Sequence, residues 1–74
     1  MSGLSGYSDR GRVIKALERA GFQRAQGAKH LVMHHANGRH TTIPNSRVLK
    51  IGTLKAIIRQ CGLTHQQFIE LYSQ

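Results

Sequence analysis

The dipeptide Asn37-Gly38 constrains the fold most, because it lies between two runs of residues suited to β-strands. Both residues tolerate the positive backbone dihedrals that a tight two-residue hairpin turn needs. One run extends from Lys29 to His35 and the other from Arg39 to Pro44, whose ring nitrogen cannot donate to a ladder. The sequence therefore predicts a β-hairpin with a strand on each side of the dipeptide.

The predicted turn also sets a register for the two strands. A two-residue turn places Val32 opposite Ile43, and the alternation of a strand puts His30 and His34 on the same face. The other face carries three side chains: Leu31, Met33 and His35. Both faces have apolar residues, so the pattern leaves open which one meets the rest of the protein.

One helix is predicted before the hairpin. Ser8 is its N-cap, Asp9 lies at the positive end of the helix dipole, and Gly21 ends the helix after Ala20. Its apolar residues follow helical spacing: Val13, Ala16, Leu17 and Ala20. A short first strand, Phe22 to Gln26, then leads to the hairpin.

Two helices are predicted after the hairpin, beyond a connector from Asn45 to Ile51. Thr53 caps the first and Gly62 ends it, and its apolar residues follow helical spacing: Leu54, Ile57, Ile58 and Cys61. The second has a strong start signal. Thr64 and Gln67 match a capping box, and Leu63 with Phe68 matches a hydrophobic staple.

The resulting order is α-β-β-β-α with a short C-terminal helix. This order predicts an α+β fold in which helices cover one face of a three-stranded antiparallel sheet. The chain has 74 residues, which is enough for one small domain but not for an enclosed substrate cavity. We expect a flexible Ser/Gly-rich segment over residues 1–7 and a single domain over residues 8–74.

The charge balance restricts the partners. Lys and Arg total 11 against 3 Asp and Glu, and all three acids lie outside the hairpin. A net charge of +8 favours phosphate backbones through counterion release, and also acidic proteins or anionic lipid. Cys61 is the only cysteine, which excludes an intrachain disulfide. The sequence shows no membrane-length apolar stretch and no signal-peptide core, so we expect a soluble cytoplasmic protein.

Four of the five histidines lie in the hairpin stretch: His30, His34, His35 and His40. Strand neighbours two residues apart share a face, so the last three invite a metal interpretation. A structural zinc site needs four ligands, and neither Cys nor Asp/Glu is nearby to complete it. We therefore predict no metal, and expect these three histidines to face solvent or RNA. Lys50, Lys55 and Arg59 form either a solvated face or a second phosphate contact near a helix start.

The order and spacing of several short motifs resemble the HicA toxin family, over Val13 to about Leu71. His30 precedes an apolar strand that leads to the Asn37-Gly38 turn. The other matching stretches are Ile14-Lys15-Ala16-Leu17-Glu18-Arg19-Ala20-Gly21-Phe22, Thr42-Ile43-Pro44-Asn45, Leu49-Lys50, Gly52-Thr53-Leu54-Lys55 and Ile58-Arg59-Gln60-Cys61-Gly62-Leu63. Three positions depart from the family pattern. Ala28-Lys29 replaces a Gly-Ser or Gly-Gly pair, Ser46 replaces a histidine, and Ile51 replaces a proline.

The resemblance implies a small RNA-cleaving toxin of a type II toxin–antitoxin system. It implies a fold like a double-stranded-RNA-binding domain, a HicB-like antitoxin partner, and contact with DNA only through that antitoxin. The family's catalytic histidine begins the second strand, and His30 is the position here that matches it.

RNA carries its own nucleophile, the 2′-hydroxyl, so cleavage needs only proton transfer and charge stabilisation at one phosphodiester. Histidine titrates near neutral pH and can move such a proton. We predict that His30 is the general acid or base without a metal or other cofactor, and that Lys29 holds the phosphate. Further RNA contacts are predicted at Arg39, Lys50 and Lys55. A lone strand histidine is otherwise usually structural.

Two other functions stay open. The first is a non-catalytic module that binds RNA by shape and charge. The second is binding to a membrane surface, although no helix combines a broad apolar face with a heavily basic one.

Overall fold

The computed structural model describes residues 7–25 and 31–74, which form three helices and five short strands. In chain order they are β1 (Tyr7–Asp9), α1 (Arg10–Arg19), β2 (Gln23–Ala25), β3 (Leu31–His34), β4 (His40–Ile43), β5 (Val48–Lys50), α2 (Ile51–Cys61) and α3 (His65–Ser73). Strands β2, β3 and β4 form an antiparallel sheet in that order. The predicted α+β class and α-β-β-β-α order with a C-terminal helix are confirmed, and the arrangement is that of double-stranded-RNA-binding domains.

The hairpin turn contains Asn37 and Gly38, but it is one residue longer than predicted. The His35 N–H donates to the Arg39 carbonyl at 2.9 Å, and the Gly38 N–H donates to the His35 carbonyl at 2.9 Å. Gly38 has a φ of +94°, whereas Asn37 does not have a positive φ. A two-residue type I′ turn needs positive φ at both central residues, so the chain forms a three-residue loop with glycine at the left-handed position.

The longer loop shifts the strand register by one residue. Val32 lies opposite Thr42, and Ile43 lies opposite Leu31, so the predicted pairing of Val32 with Ile43 is wrong. Because side chains alternate along a strand, the shift also decides which face is buried. The buried face carries Leu31, Met33, Thr41 and Ile43. The opposite face, called the outer sheet face below, carries Gln23, Ala25, Val32, His34, His40 and Thr42.

The core lies between the buried sheet face and the three helices. It consists of Val13, Ile14, Ala16, Leu17, Phe22, Met33, Ile43, Leu49, Leu54, Ile57, Ile58, Cys61 and Phe68. The apolar helical positions identified in the sequence supply most of this set, because a stripe at 3.6-residue spacing faces one side of a helix. Burial of Cys61 agrees with its place in such a stripe.

A second, two-stranded antiparallel sheet was not predicted. Strand β1 pairs with β5, so that Ser8 lies opposite the buried Leu49 and Tyr7 lies opposite Lys50. Tyr7 thus belongs to a strand, and the connector predicted from Asn45 to Ile51 contains β5. Three-residue strands have too few positions for an alternation to be visible in the sequence. The rest of the predicted flexible segment, residues 1–6, lies outside the described residues.

The starts of α1 and α2 also differ from the prediction. Asp9 is the N-cap of α1, and its carboxylate accepts the Arg12 N–H at 2.9 Å. Ser8, the predicted cap, is buried in β1. Helix α2 begins at Ile51 directly after β5, with no side-chain cap, so Thr53 lies within the helix. In both cases a strand leads straight into the helix and decides where it starts.

The predicted C-terminal end of α2 and the predicted start of α3 are confirmed. Gly62 ends α2 with a φ of +75°, the left-handed conformation that glycine adopts without strain. Thr64 and Gln67 form the capping box: the Gln67 N–H donates to Oγ1 of Thr64 at 3.0 Å, and the Thr64 N–H donates to Oε1 of Gln67 at 2.9 Å.

Candidate nucleic-acid interface

The predicted catalytic residue, His30, and its neighbour Lys29 lie outside the described residues. His30 immediately precedes β3, which begins at Leu31. His34 is four positions after His30, and a chain segment of that length spans at most about 14 Å. The roles assigned to His30 and Lys29 therefore stay predictions.

A row of polar side chains crosses the outer sheet face. His34 lies opposite Gln23 on one side and His40 on the other, and all three residues are exposed. Adjacent strands are about 4.8 Å apart, so the row is about 10 Å wide. The outer sheet face carries no Asp or Glu, so no carboxylate there repels an anion. This exposure of His34 and His40 agrees with the prediction that they face solvent or RNA.

His35 has a structural position instead, contrary to the prediction. It is half-buried and meets the Phe22 ring edge-on, with ring centroids 5.0 Å apart. Its Nδ1 accepts the Asn37 N–H at 3.0 Å. A Cβ atom at Gly21 would lie 2.8 Å from its Nε2, so glycine at that position leaves room for the ring. His35 therefore holds the hairpin against the end of α1.

Arg39 lies at the far end of the hairpin, against the C-terminal end of α2. A Cβ atom at Gly62 would lie 2.7 Å from Cζ of Arg39, so the missing side chain is what lets the guanidinium pack there. A cation is favoured at this end of a helix, where carbonyl groups are unpaired. Arg39 also lies near Cys61: burial raises the pKa of that thiol to about 11, while the charge of Arg39 acts in the opposite direction.

Arg39 helps to form an open pocket of about 330 Å³, called the hairpin pocket below. Its lining consists of Gly38, Arg39, His40, Thr41, Thr42 and Gln60. Thr41 is buried, and its hydroxyl donates to Oε1 of Gln60 at 2.5 Å, which ties β4 to α2. The sequence analysis missed Gln60 because nothing in the pattern of α2 indicates which polar residue faces the hairpin.

Helix α2 presents a second basic surface. Lys50 is its N-cap residue, and Lys55 and Arg59 are four residues apart on the helix, so they share a side. All three are exposed, and their side chains form no hydrogen bond or ion pair with another described residue. Lys55 and Arg59 border an open pocket of about 330 Å³, together with Ile58, Leu63, Thr64 and His65.

Several other arginines are held by intramolecular contacts, which the sequence did not indicate. Arg10 donates to the Pro44 carbonyl at 2.8 Å, and Arg24 pairs with Glu18 at 2.9 Å. Arg12 and Arg19 donate to carbonyls of α3, at Tyr72 (3.1 Å) and Leu71 (2.7 Å) respectively. A large share of the positive charge therefore contributes to the fold.

The metal interpretation of the hairpin histidines finds no support in their placement. Across residues 7–25 and 31–74, no three or more His, Cys, Asp or Glu side chains come together as metal ligands would. His35 points to Phe22 and Gly21, away from the exposed pair His34 and His40. In the same residues, no helix is long and apolar enough to cross a membrane.

These features define a small α+β protein with the fold of a double-stranded-RNA-binding domain, an outer sheet face without carboxylates and a basic helix beside it. Comparison with protein families identifies the family of the chain. Residues 11–63 match the family described as the HicA toxin of bacterial toxin–antitoxin. The chain belongs to the HicA toxin family, as predicted. The match runs from α1 to Leu63 and so includes the whole three-stranded sheet and α2. A search of curated proteins found no significant match.

Membership of this family makes the chain the toxin of a toxin–antitoxin system, for which an antitoxin partner is implied. The family match includes residues 29 and 30 as well as the residues of the hairpin pocket.

Proposed function

We propose that this protein is an endoribonuclease that cleaves mRNA without a metal ion, acts in the cytoplasm and is neutralised by a HicB-like antitoxin. The observation that carries the proposal is the family match over residues 11–63, which spans His30. The match supplies the class of protein, and the chemistry of the hairpin residues supplies the mechanism.

In this mechanism His30 is the acid–base group. It takes the proton of the RNA 2′-hydroxyl, or gives one to the leaving 5′-oxygen, as the 2′-oxygen attacks the adjacent phosphorus. Proton transfer by a positioned side chain typically contributes about 10²–10⁴-fold to a rate. Lys29 stabilises the charge that develops on the phosphate oxygens. No cofactor is needed because RNA supplies the nucleophile.

The described surface supports RNA as the ligand. The outer sheet face lacks carboxylates, and Lys50 and Lys55 are exposed with their side chains unengaged by the described residues. Such cations release counterions when they neutralise phosphates, which strengthens binding at low salt. Arg39 is a further contact, and it belongs to the hairpin pocket. The same positive surface suits an acidic antitoxin that covers the hairpin.

The test compares the native protein with His30→Ala and with a control histidine variant, His65→Ala. His65 is exposed at the start of α3, outside the sheet. A defined single-stranded RNA is incubated with each protein in EDTA and analysed on a gel, alongside a binding assay. We expect the native protein and His65→Ala to cleave, and His30→Ala to bind without cleaving.

The fold itself favours one alternative, an RNA-binding module without catalysis, because double-stranded-RNA-binding domains grip backbone by shape and charge. Binding without cleavage by the native protein would establish this alternative. Cleavage that persists in His30→Ala would instead move the acid–base role to another residue.

A further inference from the structure

We propose that the hairpin pocket is a phosphate-binding subsite for RNA, separate from the reacting phosphodiester. The ligand is a backbone phosphate of the same RNA strand that is cleaved. This proposal rests on the proposed function for the identity of the strand, and on the geometry of the pocket for the chemistry of the ligand.

The pocket is lined by hydrogen-bond donors. Arg39 lines the pocket, and its guanidinium, which lies beside Gly62, carries five N–H groups and a permanent charge. Thr41 donates to Oε1 of Gln60, and this bond turns the acceptor end of the carboxamide away from an incoming anion. The Gln60 amide N–H groups donate to no other described residue. His40 and Thr42 complete the lining with an imidazole and a hydroxyl.

No carboxylate lines the pocket. Asp9 caps α1, Glu18 pairs with Arg24, and Glu70 accepts a hydrogen bond from Gln66 on α3. A pocket with a guanidinium, several neutral donors and no acidic side chain suits an anionic oxygen, and bonds to such an oxygen from charged donors are about twice as strong as neutral ones. Phosphodiester oxygens have this charge at neutral pH.

Two contacts bring the donors to the pocket. Arg39 lies against the bare backbone at Gly62, in space that a side chain there would fill. Gln60 accepts a hydrogen bond from the buried hydroxyl of Thr41. This bond limits the rotamers of Gln60 before a ligand binds, which lowers the conformational entropy that Gln60 loses on binding. Lys55 and Arg59 have no comparable restraint from the described residues, so the pocket is the more specific of the two basic regions.

The pocket is within reach of the predicted catalytic residue. His40 lines the pocket and lies directly opposite His34 on the neighbouring strand. His30 is at most about 14 Å from His34 along the chain. A single RNA strand of a few nucleotides can therefore contact both places, which would fix the strand on the outer sheet face while the bond near His30 reacts.

The experiment measures binding of a short 2′-O-methyl oligoribonucleotide, which lacks the free 2′-hydroxyl and is not cleaved by this chemistry. Fluorescence anisotropy gives the dissociation constant at several salt concentrations for Arg39→Gln and Gln60→Glu. The Glu side chain keeps an acceptor for the Thr41 hydroxyl and introduces a negative charge into the pocket. Lys15→Gln, on the exposed side of α1, is the control because each change lowers the net charge by one unit.

We expect each pocket variant to weaken binding about 5- to 10-fold and to reduce the slope of log affinity against log salt by about 0.7–1. Lys15→Gln should change the affinity less than about twofold. Circular dichroism and thermal unfolding check that every variant is folded. If one pocket variant is unfolded, the other decides the test.

Affinities and salt slopes equal to those of Lys15→Gln would overturn the proposal. Unchanged RNA binding with weakened antitoxin binding would also overturn it, and would make the pocket a protein-docking site. The outcome is distinct from that of the cleavage test: a native protein that binds but never cleaves RNA refutes the nuclease, while a loss of affinity in the pocket variants still establishes the subsite.

Discussion

Arg12 and Arg19 of α1 have the same sign of charge as the basic residues of α2 but different contacts. On α1, the Arg12 guanidinium lies 4.3 Å from the centroid of the Tyr72 ring, and Arg19 donates to the Leu71 carbonyl. On α2, Lys55 and Arg59 are exposed, and their side chains bind no other described residue. Arg12 and Arg19 are bound at the C-terminal end of α3, whereas Lys55 and Arg59 are open to solvent.

Net charge alone therefore overstates the surface available to an anion. Arg12 and Arg19 neutralise the carbonyl end of α3 and hold that helix against α1. Their charge contributes to the free energy of folding, and their guanidinium groups are already hydrogen-bonded. RNA affinity should therefore depend on the hairpin pocket and α2 far more than on α1. Four predictions, given in order of decreasing effect, test this division between the two helices.

Phe68→Ala should lower the free energy of unfolding by about 3–5 kcal/mol, because it removes a large side chain from the core. Phe68 is 1% exposed and anchors α3, so this loss sets the scale for the contribution of apolar contacts to that helix. Urea unfolding followed by circular dichroism measures the change. A loss below about 1 kcal/mol would mean that the arginine contacts, and not the core, hold α3 in place.

Cys61 should react with a thiol reagent at pH 8 about 10²-fold more slowly in the folded protein than in urea, because the thiolate is the reactive form. Burial raises the pKa of this thiol from 9.0 to about 11. The stabilisation from the neutral buried thiol is complete below about pH 9 and is lost as the pH rises towards about 11. Equal rates in both states would show that the core beneath Arg39 is open to solvent.

Arg12→Gln should lower the free energy of unfolding by about 1–1.5 kcal/mol, since it removes a cation–π contact and a hydrogen bond from a charged donor. RNA binding should match that of Lys15→Gln, because Arg12 is engaged with Tyr72. Thermal unfolding and anisotropy give the two values. A loss of RNA affinity equal to that of a pocket variant would break the comparison between the helices.

Lys55→Gln should have the opposite pair of effects: the stability should stay the same and the RNA affinity should fall. Its unfolding free energy should stay within about 0.5 kcal/mol of the native value, as for most surface changes. RNA affinity should fall about threefold, with a lower salt slope, because one phosphate contact is lost. Thermal unfolding and fluorescence anisotropy measure the two values. An unchanged affinity would confine RNA recognition to the sheet and the hairpin pocket.

Much of the fold was predictable because its signals are local. The hairpin was indicated by Asn37-Gly38, although not its register. The family resemblance pointed to His30, whose role the described residues leave as a prediction. The hairpin pocket was not predictable as a whole. Arg39 was identified for its charge. Gln60 and Gly62 are more than twenty residues further along the chain, and they lie beside Arg39 only because α2 packs on β4.

Local sequence is sufficient for the elements whose causes lie within a few residues. These are the three helices, the end of α2 at Gly62, the capping box of α3 and a turn at the hairpin, each produced by local backbone preferences and side-chain caps. Composition also determined that the protein is strongly basic.

Tertiary packing determines which groups far apart in the chain come into contact. It determines the strand register, the pairing of β1 with β5 and the structural position of His35. It also determines that Arg12 and Arg19 donate hydrogen bonds to α3. Arg12 and its acceptor are 60 residues apart, and Arg19 and its acceptor are 52 residues apart. No local pattern encodes such a contact, because it forms only when packing of the apolar faces brings distant backbone carbonyls within reach of the side chain.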